Sequence, residues 1–342
     1  MSFTGHPSFT EPPSLSSVPP RNWPKSAEIL RDIVSIPLKD IIQATNNFAD
    51  EKIIEKGYGW IVYKGELSGK KLAFVLVNER YIDTSHAFML SSLPEHLNIV
   101  PFIGCCDMEG KMIFVIELPT RGSLDKYVTG EHLTWLMRVR ICHDIASGLH
   151  HAETHEMAIK DLNISCVHID ENWQAKIQLI KCTMLSDIPQ SFYDIIRRPY
   201  TDTLDEVVFA RPYIEGGWRI RPLEIYYFGV ILLELLCGRL AVTKDEDNQQ
   251  FLNKLLASEH YVNGTLTEIV DPVLRVQMNR DSFNVFKELA YACMNMYEYK
   301  RPRISTIVEQ LQKVLKLQQG FEISQHQQVS YCQFLHVVFL FY

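Results

Sequence analysis

The chain has 342 residues, 46% of them hydrophobic and 22% charged, enough apolar material for one large domain or two fused lobes. Its 34 basic and 41 acidic residues leave a net charge of −7, which argues against nucleic acid or an anionic membrane surface as partner. The eight cysteines contain no C-x-x-C pair, and the neighbours Cys105 and Cys106 cannot readily bridge each other, so reduced, mostly buried thiols in a cytosolic protein are expected.

Residues 1–24 are polar and rich in Ser and Pro, unlike a secretory signal, and Ser2 excludes N-myristoylation. Residues 1–35 are therefore expected to be a disordered leader. A short amphipathic segment over 38–46 precedes Asn47-Phe48. Strand-like runs follow at 60–66 and 72–77, broken by the turn Ser68-Gly69-Lys70-Lys71, and two more are expected at 102–106 and 112–118. A helix capped by Thr134 gathers Val139, Cys142, Ile145, Ala146 and Leu149 on one face.

His151 and His155 share a helix face, but no third ligand is placed to complete a metal site and H-A-E-T-H is not H-E-x-x-H. They read as surface histidines, and no metal is expected. The helix leads into Ala158-Ile-Lys-Asp-Leu-Asn-Ile-Ser-Cys-Val-His-Ile-Asp170, a loop holding one Asp, followed by a strand pattern over 175–181. Residues 182–213 have no regular apolar period. Helices are predicted over 222–237, 249–257, 283–295 and 302–316, the last with Ile304, Ile307, Val308, Leu311 and Leu315 at helical spacing. The apolar run 226–237 falls short of the roughly 20 residues a bilayer needs, as does the apolar end 332–342 behind the Gln-rich 318–330.

Ile-Pro-Leu-Lys-Asp-Ile-Ile-Gln-Ala-Thr-Asn-Asn-Phe at 36–48 resembles the lead-in of plant receptor-like kinases, the receptor-like/Pelle group. A helix, an Asp-bearing loop and two short strands are also the frame on which protein kinases hang catalysis. The resemblance continues to about residue 317. It implies an α+β, bilobal protein-kinase-like fold: a β-rich N-lobe with one helix over 36–118, a larger, mainly helical C-lobe over 119–317, and a tail at 318–342 outside the fold.

Within that frame most signature positions differ. The glycine-rich loop should hold G-x-G-x-x-G, so that backbone can approach phosphate; this chain has Glu55, Gly57 and Trp60. The Lys of V-A-I-K, which holds the α- and β-phosphates, aligns with Val75 in Leu72-Ala73-Phe74-Val75, and the following helix, 85–93, has no acidic residue to pair with it. Pro119 stands where a backbone N–H would meet adenine, and proline has none. His168 falls near the adenine floor, where apolar side chains usually pack. The H-R-D, Lys and Asn positions hold Ile159, Lys160, Asp161, Asn163 and Cys166, and D-F-G reads Leu179, Ile180, Lys181. Neither a thiol at 166 nor an alkyl chain at 179 suits hard Mg²⁺. Asp161 can still accept a proton, or can simply bond its own loop backbone.

The family's buried Arg is kept as Arg301, whereas the Glu it pairs with is replaced by Pro212, so a substitute acid is expected, with Glu215 nearest in sequence. Thr201 and Thr203, beside Arg197 and Arg198, are candidate phosphosites, with Lys160 at the phosphate-sensing position. The resemblance thus implies a pseudokinase: a signalling scaffold or regulatory partner that needs no cofactor. Its expected partners are active receptor-like kinases or immune receptors, with a decoy role by analogy. It is expected in the cytoplasm, peripheral at the plasma membrane through those partners. Two alternatives stand beside it. One is a weak Ser/Thr kinase using ATP, Mg²⁺, Asp161 and a displaced Lys70 or Lys71; the other is a decayed duplicate without a role.

Overall fold

The computed structural model describes residues 34–57, 59–78, 90–108, 111–130, 132–157, 159, 162–183, 221–241, 260, 263–295 and 297–340, with the backbone alone at 183, 221–222, 326 and 328–340. The chain divides into two compact units, Met1–Ser92 with Phe102–Leu118, and Leu93–Pro101 with Pro119–Tyr342.

The first unit is an antiparallel sheet of β1 (Ile53–Gly57), β2 (Trp60–Leu67), β3 (Lys70–Asn78), β4 (Phe102–Met108) and β5 (Lys111–Glu117), in the order β1-β2-β3-β5-β4. β3 lies at the centre because Leu72-Ala-Phe-Val-Leu-Val is apolar on both faces, and most of it is buried. The β2–β3 turn is tight: Ser68 and Gly69 both take positive φ, 53° and 76°, the twist that suits a two-residue hairpin.

The outer edge of β4 is not left open. Ile36 donates its N–H to Cys105 O at 2.9 Å and Cys105 donates to Val34 O at 3.0 Å, so the lead-in segment pairs along the edge. A Cβ on Gly104 would collide with the Val34 carbonyl. The segment continues into α1 (Leu38–Ala44), whose Ile41 joins Ile36, Tyr63, Leu72, Phe74 and Val115 in one core. Residues 34–35, assigned to the leader by sequence, therefore belong to the sheet; the rest of the leader lies outside the described residues.

The second unit contains β6 (Gly122–Ser123), α2 (Asp125–Val128), α3 (Trp135–Thr154), β7 (Val167–Ile169), β8 (Ala175–Ile177), α4 (Leu179–Thr183), α5 (Arg221–Cys237), α6 (Pro272–Arg275), α7 (Arg280–Cys293) and α8 (Ile304–Leu340). β6, β7 and β8 form a small sheet, and α3 packs against β8, α5 and α8. Thr134 caps α3 as predicted, its side chain accepting the Met137 N–H at 3.3 Å. The buried Arg138 of α3 is satisfied by Leu235 O at 2.8 Å and by an ion pair with Asp271 at 3.0 Å. Among the described residues, no helix is long and apolar enough to cross a membrane. A sheet-rich lobe and a helical lobe make up the expected bilobal α+β kinase architecture.

Several boundaries differ from the sequence reading. Residues 93–101 join the helical unit rather than the N-lobe, because Ile99 bridges Ile177 and Val100 donates to Ile177 O at 2.9 Å. The strand expected over 175–181 ends at Ile177, and Leu179 begins a helix instead. The helix expected over 302–316 starts at Ile304 and continues to Leu340. The limit drawn at 317 falls inside that helix, where Gln318 is fully buried, accepting Asn279 N–H at 2.9 Å and donating to Gln277 O at 2.7 Å. The helix expected at 249–257 lies outside the described residues, and of that at 85–93 only 90–92 are described as helix.

Candidate functional site

In the sheet unit the positions of interest lie on adjoining strands. Gly57 pairs with Trp60 to close the β1–β2 hairpin, Glu55 sits two residues earlier, half-buried, opposite Val62, and Trp60 is buried. Val75 is fully buried in β3, with Val62 opposite on β2 and Phe114 opposite on β5. The wall at this position is hydrocarbon. Lys70 and Lys71 are exposed at the start of β3, paired with Leu67 and Glu66. At about 3.3 Å per residue, Lys71 lies roughly 13 Å along the strand from Val75.

In the helical unit, the 3-10 turn Ile164–Cys166 leads into β7. Its cap is Asn163, whose side chain accepts Ser165 N–H at 3.0 Å. Cys166 is fully buried, and its carbonyl accepts Gln178 N–H at 2.8 Å, which carries the chain from β8 into Leu179. Leu179 is 3% exposed and Ile180 2%, so both face the interior of the unit. Pro119 is half-buried at the entry to this unit and, as proline, offers no donor.

His168 of β7 is buried, and burial, reinforced by the cation of Lys181, lowers its pKa to about 4. Gln178 lies near enough to favour the protonated ring but not in hydrogen-bonding geometry. Among the described residues, neither nitrogen of His168 nor Gln178 Oε1 has a hydrogen-bond partner.

In the helical unit, positions 166 and 179 hold a buried thiol and a buried alkyl chain, neither of them an oxygen ligand of the kind Mg²⁺ takes; in the sheet unit, position 75 holds a buried alkyl chain without charge. Asp161, Lys160, Thr201, Thr203, Arg197 and Arg198 lie outside the described residues, as do Pro212 and Glu215.

The structure adds two residues that the sequence reading passed over. Glu224 of α5, only 6% exposed, accepts the backbone N–H of Ile159 and so fixes the chain two residues before Asp161. Glu234, ten residues further along α5, accepts Ala241 N–H at 2.8 Å, and its burial pushes its pKa up to about 7. The available signal was an acid within an otherwise apolar helix. Arg301 is half-buried. Its Nε donates to Asn295 O at 2.9 Å, and its guanidinium lies 5.2 Å from the centre of the Tyr226 ring. Burial lowers its pKa while the charge of Glu298 works against that. A carbonyl, a ring and Glu298 thus surround it, on one side of a cavity of about 160 Å³ that Glu153, Glu224 and Arg303 also line. Among the described residues, no group of three or more His, Cys, Asp or Glu side chains could hold a metal ion.

The family model for protein tyrosine and serine/threonine kinases matches residues 78–311. Similar proteins include the probable receptor-like protein kinase At5g59700 of Arabidopsis thaliana, 29% identical over 83% of this chain and 35% of its own length. The L-type lectin-domain containing receptor kinase SIT1 of Oryza sativa subsp. japonica is 29% identical over 82% of this chain and 42% of its own. The receptor-like protein kinase FERONIA of Arabidopsis thaliana is 28% identical over 83% and 32%. The chain thus spans about a third to two-fifths of the length of these relatives.

Proposed function

This chain belongs to the protein tyrosine and serine/threonine kinase family, and within it we propose a catalytically impaired member, a pseudokinase that works as a signalling scaffold or regulatory partner. One observation carries the proposal: the positions that handle nucleotide and metal in the family hold buried Val75, Cys166 and Leu179. Losing one preorganised electrostatic group typically costs about 10²–10³ in rate. Such losses are not additive, yet even partial multiplication takes a kinase of about 1–100 s⁻¹ to a negligible rate.

The partners proposed are active receptor-like kinases or immune receptors in a plant cell, with the chain in the cytoplasm and held at the plasma membrane through them. The likeness to receptor-like kinases of Arabidopsis and rice supports that choice. In this reading the segment holding Thr201 and Thr203 receives phosphate from such a kinase, and a phosphate there adds about −1.5 to −2 charge beside Arg197 and Arg198. Mass spectrometry after incubation with ATP, alone and with an active receptor-like kinase, checks this. Phosphate appearing on the protein alone contradicts it.

The deciding experiment is a thermal-shift titration with ATP, with and without Mg²⁺. A ligand at 100 times its Kd stabilises by about 2.7 kcal/mol, a visible shift. The expected outcome is no shift at millimolar nucleotide. The relatives are named as kinases, which favours a second reading: a weak ATP-dependent Ser/Thr kinase using Asp161 and Lys70 or Lys71. A Mg²⁺-dependent rise in melting temperature would select it.

A further inference from the structure

Three imidazoles, among them the His151 and His155 pair read as surface histidines, lie in a row along the helical unit. His96, on the segment 93–101, lies 4.6 Å from His151 of α3, centroid to centroid, with the planes 23° apart. His151 lies 4.3 Å from His155, one turn on, at 43°. Each ring commits one nitrogen to the backbone. His151 Nε2 is 2.9 Å from Pro94 O and His155 Nδ1 is 2.8 Å from His151 O; carbonyls only accept, so both nitrogens carry protons. His96 does the reverse. Its Nδ1 accepts the Asn98 N–H at 3.1 Å, which fixes the proton of the neutral ring on Nε2.

Asn98 is what the stack holds in place. Its side chain donates to Ala175 O at 3.0 Å, its carbonyl accepts Ile177 N–H at 2.9 Å, and Val100 donates to Ile177 O at 2.9 Å. Residues 98–100 are thus a belt joining β8 to α3. The fit is close: a Cβ on Gly148 would lie 2.7 Å from the Asn98 carbonyl.

A proton on His96 Nδ1 would replace an acceptor with a donor, facing the Asn98 donor, and would set a charge against the His151 ring. Burial and the neighbouring His151 both pull His96 below the usual histidine value. The charged groups on the surrounding elements are Glu95 on the segment itself, Arg138, Arg140, Asp144 and Glu153 on α3, Glu156 just past its end, Lys176 on β8, and Glu309, Lys313, Lys316 and Glu322 on α8, which packs along α3. Asp144 is engaged with Ala175 N–H at 3.1 Å and with the Asn98 side chain, and Glu153 lines the Arg301 cavity.

We propose that His96, stacked on His151 in the row His96–His151–His155, is a proton-operated clasp that holds the 98–100 belt on β8 when its ring is neutral and releases it when the ring is protonated. The sign follows from linkage. The folded value of His96 lies below its unfolded 6.5, so the clasp is intact above that pH and is lost as pH falls through the folded value. The clasp is independent of whether the chain binds nucleotide.

The test is amide hydrogen exchange on the full chain at pH 7.5 and 5.5, corrected for the intrinsic rate, at Asn98, Val100 and Ile177. Wild type should lose protection at these amides at pH 5.5 relative to pH 7.5. In His96→Asn the side-chain carbonyl can accept the same N–H two residues on, as asparagine does in tight turns, without titrating. Protection should then be equal at both pH values. Unchanged protection in wild type overturns the clasp, as does an equal acid loss in His96→Asn. If that variant loses the belt at both pH values, the wild-type ring decides. Its ¹⁵N shifts must show an unprotonated Nδ1 at pH 7.5 and titration below free histidine; titration at or above free histidine overturns the proposal.

Discussion

The carboxylate of Glu224 accepts the backbone N–H of Ile159, joining a buried helix to the loop that holds Asp161 across 65 positions of sequence. A buried N–H left without its acceptor costs about 1–3 kcal/mol. Glu224→Ala should therefore lower stability by about that amount in urea unfolding, and Glu224→Gln, which keeps an acceptor oxygen, by clearly less. A neutral Glu224→Ala would show that water or another group replaces the carboxylate at no cost.

Glu234 gives the fold a pH dependence of opposite sign to ordinary acid denaturation. Its pKa is raised from 4.5 to about 7 by burial, so the unfolded state releases its proton first. Stability from this site is complete below pH 4.5 and is lost as pH rises through 7, by about 3 kcal/mol in all. Glu234→Gln keeps an acceptor for Ala241 N–H and cannot ionise. Its melting temperature should exceed that of wild type at pH 8 and match it near pH 4.5. The difference between the two proteins isolates Glu234 from Asp144, raised to about 6, and from His168, lowered to about 4. A constant difference across that range would refute the assignment.

Gln318 bonds two backbone groups, 39 and 41 residues away in sequence, from a fully buried position. Gln318→Ala strands both the Asn279 N–H and the Gln277 carbonyl, and about 2 kcal/mol should be lost. Ending the chain at 317 should cost at least as much. Denaturant midpoints that are unchanged in both would return residues from 318 onward to the status of a tail.

Local chemistry made part of this legible. The hairpin Trp60–Leu67 and Lys70–Asn78 was readable because β-branched and aromatic residues flank a Ser-Gly turn, and the start of α3 because Thr134 is a strong cap. Leu179 was misread because Ala175–Lys181, four apolar residues among seven, fits a short strand or about two helical turns equally well. β7 is three residues long, so pairing stops at Ile177 and the remaining apolar side chains bury themselves as α4. The partners of Glu224 and Gln318 were not legible, since they are fixed by tertiary packing rather than by spacing, although an acid within an apolar helix did mark Glu224. Of the proposed site, the residue types at 75, 166 and 179 were visible in the sequence, whereas their burial was not.

Val75 offers the sharpest test of how far the nucleotide site has changed. Val75→Lys puts lysine where the proposed match to V-A-I-K has it, yet the side chain would enter a fully buried position between Val62 and Phe114. Residues 85–93 supply no carboxylate to pair with it. Desolvation disfavours the charged ammonium and lowers its pKa by several units, worth on the order of 4 kcal/mol at neutral pH. The variant should therefore melt well below wild type at pH 7, recover as the pH approaches 10 and the lysine becomes neutral in the unfolded chain as well, and still show no Mg²⁺-dependent shift with ATP. A Val75→Lys protein that is as stable as wild type, or that gains a nucleotide shift, would mean that one substitution suffices to rebuild the site, and the remaining losses at Cys166 and Leu179 would no longer support an impaired kinase.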